Sequence, residues 1–424
     1  MYRWALSLLL ACAPPLVRAA PLSIASVPSP AGGTGSDSPS LTAAPDGTVW
    51  LSWLETSDPD DTAFKYSTFD AGAGRWREAR TIAHGKDWVT NVFDAPRLLV
   101  QSGGRVTAEW SIAVPDKDKD VDTPHAYFRQ SEDGGATWGA PRLVSTETDS
   151  AEYVTLSPLA DGGILAAWID ARGRKTEATA PKLYSRRLDR TQADVLVDAS
   201  VCDCCRPILT ALPDGGALLA YRGRTGAQIR DIQLAHFQAG AWGAARVSTD
   251  DHWQIDGCPV NGPRLASRGS LVSLVWFTVT DNLGKVWAER STDAGGHYGA
   301  PQRVDLGHAS GRVDTLLLRD GTQLVSWLEE AGGAHSAPAG LYLRSFGGAQ
   351  SPLAPTRIVA LQNDAVGRIF PRLATVGDPA GGPPQIVAVY TRPGDAPRIE
   401  TLLVTLPGEH ALAAAGTAER GSGL

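Results

Sequence analysis

Residues 38–53 read SPSLTAAPDGTVWLSW, and this stretch decides the fold because the chain repeats it. It begins with Pro and small residues, continues as a short apolar strand, turns at Asp46 and Gly47, and ends as a second apolar strand at Trp53. Two short strands separated by a Gly turn are typical of a β-hairpin. The pattern returns six more times, and its final aromatic residues are Trp110, Trp168, Tyr221, Trp276, Trp327 and Tyr390.

Each hairpin is followed by a third apolar strand, such as Phe64 to Thr68, and in most copies by a fourth. A four-stranded unit of this size cannot bury both of its faces alone, whereas units packed radially around an axis can. The sequence therefore predicts an all-β fold, a β-propeller of seven four-stranded blades, with six blades as the alternative. The seventh copy ends after Ile399 to Leu406, so we expect Leu22 to Val27 to supply its fourth strand.

The beginning of the chain resembles an export signal. Arg3 precedes an apolar run from Trp4 to Ala11, and Val17 to Ala19 offers a small-residue cleavage site. The competing interpretation is a lipoprotein signal in which Cys12 carries a lipid anchor. The first interpretation predicts a periplasmic or secreted protein, and the second an outer-membrane lipoprotein.

These assignments divide the chain into an export signal over residues 1–20, a single propeller domain over residues 21–406 and a disordered tail over residues 407–424. The tail is rich in Ala and Gly, a composition that favours disorder. No apolar run after the signal is long enough to span a bilayer, so we expect no membrane span.

Composition and charge restrict the partners. The 45 Gly, 29 Pro and 13 Trp residues suit many short strands joined by tight turns. The formal net charge of −7 repels nucleic acid and anionic membrane surfaces, which excludes both as expected partners. Any site for an anion must therefore be local.

Two turns share one spacing of residue types. Residues 131–138 read SEDGGATW and residues 291–298 read STDAGGHY, each where a third strand meets a fourth. In such a turn the Ser and Asp side chains bond the backbone, the Gly adopts positive φ and the aromatic residue packs into the blade. The residues expected to hold these turns are Ser131, Asp133, Gly135, Trp138, Ser291, Asp293, Gly295 and Tyr298.

With these turns, the chain resembles the Asp-box repeat proteins, the superfamily that contains the sialidases, over nearly its whole length after the signal. The segments 201–205 (VCDCC), 258–263 (CPVNGP) and 311–314 (GRVD) are similar to those of a group of bacterial sialidase-like proteins without an assigned reaction. The resemblance implies a propeller scaffold. Known sialidases have six blades, so the seventh repeat departs from their architecture.

Polar residues accumulate in the loops that enter first strands and leave second strands, which meet on one face of a propeller. Arginines there suit an anionic ligand, since guanidinium groups pair with carboxylate or phosphate in a bidentate manner. The alternative is that each pairs with a neighbouring Asp in a structural network. The expected ligand-binding residues are Arg172, Arg222, Arg224, Arg230, Arg312 and Arg368. The candidate catalytic residues are Asp94, Glu152, Tyr153, Asp170 and Asp314.

The resemblance to sialidases implies specific roles. Those enzymes hold the substrate carboxylate with three arginines, and they use a Tyr activated by a Glu together with an Asp. The candidate triad here is Arg224, Arg312 and Arg368, with Tyr153, Glu152 and Asp94 as candidate chemical groups, but no sequence motif marks these roles. The Arg-Ile-Pro motif expected before the first blade is absent, because residues 35–40 read GSDSPS.

The cysteines form the most unusual feature. Cys202, Cys204, Cys205 and Cys258 lie in the successive loops that enter blades four and five, so we expect one cluster. In an oxidising compartment they predict disulfides, with Cys258 bonded to one of the other three. The alternative is a thiolate site for Cu(I) or Zn(II); no other cofactor is predicted.

Three functions follow from these residues. The first is a propeller whose arginine-lined face binds an anionic small molecule, a glycan or another acidic surface molecule, or a partner protein. The second is a glycoside hydrolase of the sialidase type, which would use paired carboxylates. The third is a protein that handles copper or zinc at the cysteines.

Overall fold

The computed structural model describes residues 22–32, 35–58, 61–90, 92–115, 122–147, 151–174, 176, 179–332, 336–348, 352–366, 369–377, 382–392, 394 and 397–407. The predicted signal with Cys12, most of the predicted tail, and Arg368 lie outside these residues. Within them, no helix is both long enough and apolar enough to cross a membrane.

Strands account for nearly all of the regular structure. In chain order they are β1 (Ser23–Val27), β2 (Ser36–Ala43), β3 (Val49–Asp58), β4 (Asp61–Asp70), β5 (Arg75–Trp76), β6 (Arg80–Gly85), β7 (Arg97–Val100), β8 (Val106–Pro115), β9 (Asp122–Ser131), β10 (Arg142–Leu143), β11 (Ala151–Pro158), β12 (Ile164–Asp170), β13 (Lys182–Arg187), β14 (Val195–Asp198) and β15 (Ile208–Ala211). The others are β16 (Ala217–Arg222), β17 (Ile232–Gln238), β18 (Ala241–Trp242), β19 (Arg246–Val247), β20 (Arg264–Arg268), β21 (Leu271–Thr280), β22 (Leu283–Ser291), β23 (Gln302–Arg303), β24 (Ala309–Leu317), β25 (Gln323–Glu329), β26 (Gly340–Phe346), β27 (Thr356–Ala360), β28 (Arg372–Thr375), β29 (Gln385–Arg392) and β30 (Arg398–Thr405). Two 3-10 turns, Val92–Asp94 and Ser102–Gly104, and the short helix α1 (Asn363–Val366) complete the described elements.

These strands form seven antiparallel sheets, which are the blades. Their innermost strands are β2, β7, β11, β15, β20, β24 and β28, and each contacts the next, with β28 contacting β2. The ring is therefore closed, and the prediction of a seven-bladed propeller is confirmed.

The last blade is closed by the two ends of the chain. Strand β1 pairs with β30 in an antiparallel register from Ser23 opposite Thr405 to Val27 opposite Thr401. The Thr401 hydroxyl also donates a hydrogen bond to the Val27 carbonyl oxygen, at 2.6 Å. This pairing confirms the predicted role of the N-terminal strand.

The second strand of each blade explains the repeated Trp or Tyr. Strands β12 and β25 are buried along their whole length, because neighbouring blades cover both of their faces. The seven repeated aromatic residues are all buried, as expected for the largest side chains available to fill the space between blades. Trp53 of blade one, for example, packs in one cluster with Val387 and Val389 of blade seven.

Strand alternation gives the ring two distinct faces. Loops that enter first strands and leave second strands lie on one face, here called the mouth. Turns between strands one and two and between strands three and four lie on the other, here called the turn face. A bulge at the mouth end of β2, β11 and β24 places Ser38, Tyr153 and Arg312 at equivalent positions, with φ of 55°, 55° and 53°. Residues with side chains rarely adopt this conformation, and such strain is commonest at functional sites.

Candidate functional site

Three arginines occupy equivalent positions at the mouth ends of their innermost strands. Arg97, Arg264 and Arg372 each follow a Pro, and each pairs with the residue before the repeated aromatic: Glu109 before Trp110, Val275 before Trp276, and Val389 before Tyr390. They belong to blades two, five and seven.

These side chains converge on the propeller axis. Burial is the main reason that the pKa of Arg97 lies well below its usual range, and the positive charges of Arg206, Arg264 and Arg372 lower it further. The same effects of burial and mutual repulsion lower the pKa of Arg372. Blades two, five and seven are spread around the ring, so side chains from all three can influence one another's pKa only near the central axis. We call Arg97, Arg206, Arg264 and Arg372 the axial arginine cluster.

The cluster has fewer negative charges than positive ones. Arg206 lies 3.4 Å from oxygens of Asp94 and of Glu109, and Arg264 lies 3.9 Å from Asp314. Burial raises the pKa of Glu109 to about 8 even though Arg206 opposes the shift, so Glu109 is mostly protonated at neutral pH. Among the described residues, four guanidinium groups then face the carboxylates of Asp94 and Asp314.

Several guanidinium nitrogens in the cluster have no hydrogen-bond partner. Among the described residues, none accepts a bond from the buried Nε and Nη2 of Arg97 or from the buried Nε of Arg372. Arg206, by contrast, donates to the carbonyl oxygens of Ala95 and Val154, which ties blade four to blades two and three. Buried donors normally have partners, so the open positions mark a place for an acceptor such as an anion.

A second polar group lies next to the cluster at the mouth. The pKa of Glu152 is raised to about 8, mainly by burial and also by the negative charges of Asp94 and Asp203. Burial and the charge of Glu152 also raise the pKa of Tyr153. Asp94, Glu152 and Tyr153, three of the predicted catalytic residues, are therefore together, and Asp94 also lies beside Arg206.

Asp170 and Arg172 form a hydrogen-bonded network within blade three. Asp170 accepts hydrogen bonds from the Trp168 indole at 2.9 Å and from the Arg172 guanidinium at 2.6 Å. Arg172 also pairs with Asp194 at 2.7 Å and stacks on the Tyr184 ring. Equivalent bonds join Trp53 to Glu55 and Trp327 to Glu329, so an acidic residue two positions after the Trp orients the indole.

The other predicted arginines that the structure describes also contact the protein itself. Arg222 is buried, donates to the carbonyl oxygens of Asn261 and Phe277, and stacks on Trp253. Arg224 and Arg230 both approach Asp203, at 3.4 and 3.7 Å.

Arg312 lies over the Phe370 ring at the mouth and donates to the Val260 carbonyl oxygen. Asp314 accepts a hydrogen bond from the Leu373 backbone amide at 2.9 Å and so links blades six and seven. Arg172, Arg224 and Arg230 thus contact Asp side chains, as in the alternative of a structural network, whereas Arg222 and Arg312 contact carbonyl oxygens and aromatic rings.

The cysteines form one cluster at the mouth. Cys204 and Cys258 are joined in a disulfide, whereas Cys202 and Cys205 are free thiols whose Sγ atoms lie 3.0 Å apart. Sulfur atoms of Cys202, Cys204 and Cys205 lie within 4.8 Å of one another, which is compatible with metal ligation only if the Cys204 disulfide opens.

The two predicted turns lie on the turn face. Ser131 Oγ contacts Asp133 at 2.7 Å and accepts from the Gly135 amide, and Asp133 accepts from the amide and hydroxyl of Thr137. These bonds lower the pKa of Asp133 to about 2. In the second turn Asp293 accepts from the His297 amide, and Ser291 Oγ accepts from the Gly295 amide. Trp138 contacts Tyr66 of the preceding blade, and Tyr298 packs beneath Arg246.

The axial arginine cluster is what sequence reasoning missed. Its signal was present as a Pro-Arg-Leu sequence at Arg97, Arg264 and Arg372, which repeats at the start of three innermost strands. The ligand-binding residues were predicted from the loops alone, whereas these arginines are the first residues of strands β7, β20 and β28.

No protein-family model matches the sequence, and no curated protein matches it significantly. Solved structures do resemble it. A protein of unknown function from Dyadobacter fermentans aligns with a TM-score of 0.52 and 14% identity, over 90% of this chain and 98% of that one.

Two weaker matches are an intramolecular trans-sialidase from Ruminococcus gnavus and a polysaccharide lyase. The trans-sialidase has a TM-score of 0.47 and 13% identity, over 74% of this chain and 96% of that one. The lyase has a TM-score of 0.49 and 11% identity, over 89% and 91%. At such identities the first match concerns the fold alone, and the weaker two say nothing about the activity of this chain.

Proposed function

We propose that the protein is an exported, sialidase-like propeller that binds an anionic saccharide at its mouth, with the axial arginine cluster as the anchor for a carboxylate or sulfate group. The observation that carries the proposal is the excess of guanidinium charge at the axis together with the open donors of Arg97 and Arg372. An anion there would neutralise the repulsion and satisfy the donors at once.

The surroundings of the cluster favour a saccharide over a bare inorganic anion. Phe93 and Phe370 pack edge to face at the mouth, with ring centroids 4.8 Å apart, and both remain partly exposed. They offer an apolar surface for a sugar ring beside the cationic centre, a combination typical of sites that orient a ligand with a few polar groups. The Cys204–Cys258 disulfide supports an oxidising, extracytoplasmic location.

Isothermal titration calorimetry tests this proposal with three oligosaccharides of equal length: uronic-acid, sulfated and neutral. We expect binding heat for at least one acidic oligosaccharide and none for the neutral one. Arg97→Gln should abolish that heat, whereas Arg190→Gln, which changes an exposed residue on the turn face, should preserve it. Equal binding of neutral and acidic sugars would refute the proposal.

A second candidate function is glycoside hydrolysis at the mouth. The observation that favours it is the protonated Glu152 beside Asp94, since one acid and one carboxylate are the groups that glycosidases require. Hydrolysis of aryl glycosides would then depend on Glu152, and Glu152→Gln would remove it. Because the Arg-Ile-Pro motif of sialidases is absent, we expect no turnover of a fluorogenic sialoside.

A further inference from the structure

The free thiols Cys202 and Cys205 are placed to react with each other. They are separated by two residues in the sequence 202–205 (CDCC), and their Sγ atoms lie 3.0 Å apart. Cys204, which is 4.0 Å from Cys202 Sγ, is already bonded to Cys258. Among the described residues, Cys205 is therefore the one free thiol within reach of Cys202.

The two thiols have different electrostatic surroundings. The hydrogen bond with Cys205 and the positive charges of Arg222 and Arg230 lower the pKa of Cys202 to about 7. Burial is the main reason that the pKa of Cys205 is raised. One member of the pair is thus poised as a thiolate nucleophile and the other as the thiol that resolves the product.

The surrounding arginines reinforce this arrangement. Arg230 is buried, and its Nε has no hydrogen-bond partner among the described residues; Asp203, 3.7 Å from its Nη1, offsets part of its charge, and the remainder acts with that of Arg222 on Cys202. The pair also lies close enough to Tyr153 and Arg312 for Cys205 to influence the pKa of both. The thiols are therefore at the mouth, beside the proposed saccharide site.

Burial restricts which oxidant can reach the pair. Cys202 and Cys205 are 0% and 1% exposed, so an oxidant reaches them only when the mouth opens locally, and hydrogen peroxide needs a much smaller opening than a bulky disulfide reagent does. We propose that Cys202 and Cys205 form a redox-active dithiol that a hydroperoxide converts to a Cys202–Cys205 disulfide at the mouth.

The reaction balances without further reagents. The Cys202 thiolate attacks the outer oxygen of the hydroperoxide, the O–O bond breaks, and the departing alkoxide takes a proton to become an alcohol, or water for hydrogen peroxide. Cys202 is then a sulfenic acid. Cys205 Sγ attacks that sulfur, and its proton leaves with the hydroxide as water. The two thiols lose two electrons and the peroxide gains two.

The test treats the folded protein with one equivalent of hydrogen peroxide, then alkylates treated and untreated samples in denaturant and compares them by mass spectrometry. We expect both thiols to be lost together, with a new bond between Cys202 and Cys205 and an unchanged Cys204–Cys258 bond. In Cys205→Ser, Cys202 should stop at the sulfenic acid and become labelled by dimedone. Cys202→Ser should show neither product, and circular dichroism verifies that both variants are folded.

Three results would overturn the inference. In the first, both thiols are still fully alkylatable in the unfolded chain after peroxide treatment; in the second, the new bond joins Cys202 to Cys204. A native mass that includes bound copper or zinc and protects the thiols from peroxide would assign the pair to metal binding instead.

Discussion

At the scale of single residues, burial sets the charge of Glu109. Its pKa rises from 4.5 to about 8, so the folded protein keeps a proton that the unfolded chain has lost between these two values. Because the folded state binds more protons in that window, stability falls as pH rises from 4.5 towards 8. We predict that Glu109→Gln makes the melting temperature less dependent on pH across this window.

Thermal unfolding at several pH values measures this effect. Glu78→Gln, a change at an exposed carboxylate, is the matched control and should retain the wild-type pH dependence. If the melting temperature of Glu109→Gln depends on pH as steeply as that of the wild type, Glu109 is ionised in the folded protein. The axial arginine cluster then faces one more negative charge than described above.

At the scale of structural elements, the turn around Asp133 is stabilised by an ionised carboxylate. Hydrogen bonds from Thr137 lower the pKa of Asp133 from 3.8 to about 2, so the folded state favours the charged form. That contribution is complete above pH 4 and is lost as pH falls towards 2. Asp133→Ala should therefore lower the melting temperature at neutral pH, by an amount that shrinks in acid.

The comparison for this turn is Glu132→Ala, which removes a neighbouring carboxylate bonded to Arg105. We expect a smaller loss of stability, because exposed ion pairs contribute little. A pH-independent loss in Asp133→Ala would show that packing, rather than the charged hydrogen bonds, holds the turn.

Strand β1 is the element that closes the ring. A chain that begins at residue 28 leaves the edge of β30 unpaired and removes the acceptor of the Thr401 hydroxyl. Each lost hydrogen bond costs about 1 kcal/mol, so we predict a loss of several kcal/mol relative to a chain that begins at residue 22. Denaturant unfolding measures it. Removal of residues 408–424 is the control and should change nothing; equal stability with and without β1 would contradict the closure.

At the scale of the whole molecule, local sequence patterns predicted the fold, but they did not predict which residues from distant blades meet at the axis. The seven blades were predictable because each strand that ends in Trp or Tyr is encoded within its own repeat. The axial arginine cluster was not, because Arg97, Arg264 and Arg372 meet only once seven blades close into a ring. The cysteine loops were expected to adjoin, yet sequence left the pairing of Cys258 open, since it depends on the geometry of neighbouring blades.

The central claim is that the axial arginine cluster binds a ligand and does not stabilise the fold. Substitution of Arg97 tests this claim most directly. The Nε and Nη2 of Arg97 are buried beside like charges and have no hydrogen-bond partner among the described residues, which destabilises the free protein, so replacing Arg97 should stabilise the fold while removing the site.

The decisive measurement is the melting temperature of the wild type and of Arg97→Gln, each with and without the acidic oligosaccharide, at constant ionic strength. We predict that ligand-free Arg97→Gln melts above the wild type and that the oligosaccharide raises the melting temperature of the wild type only. A variant that melts below the wild type and is still stabilised by the oligosaccharide would contradict the account.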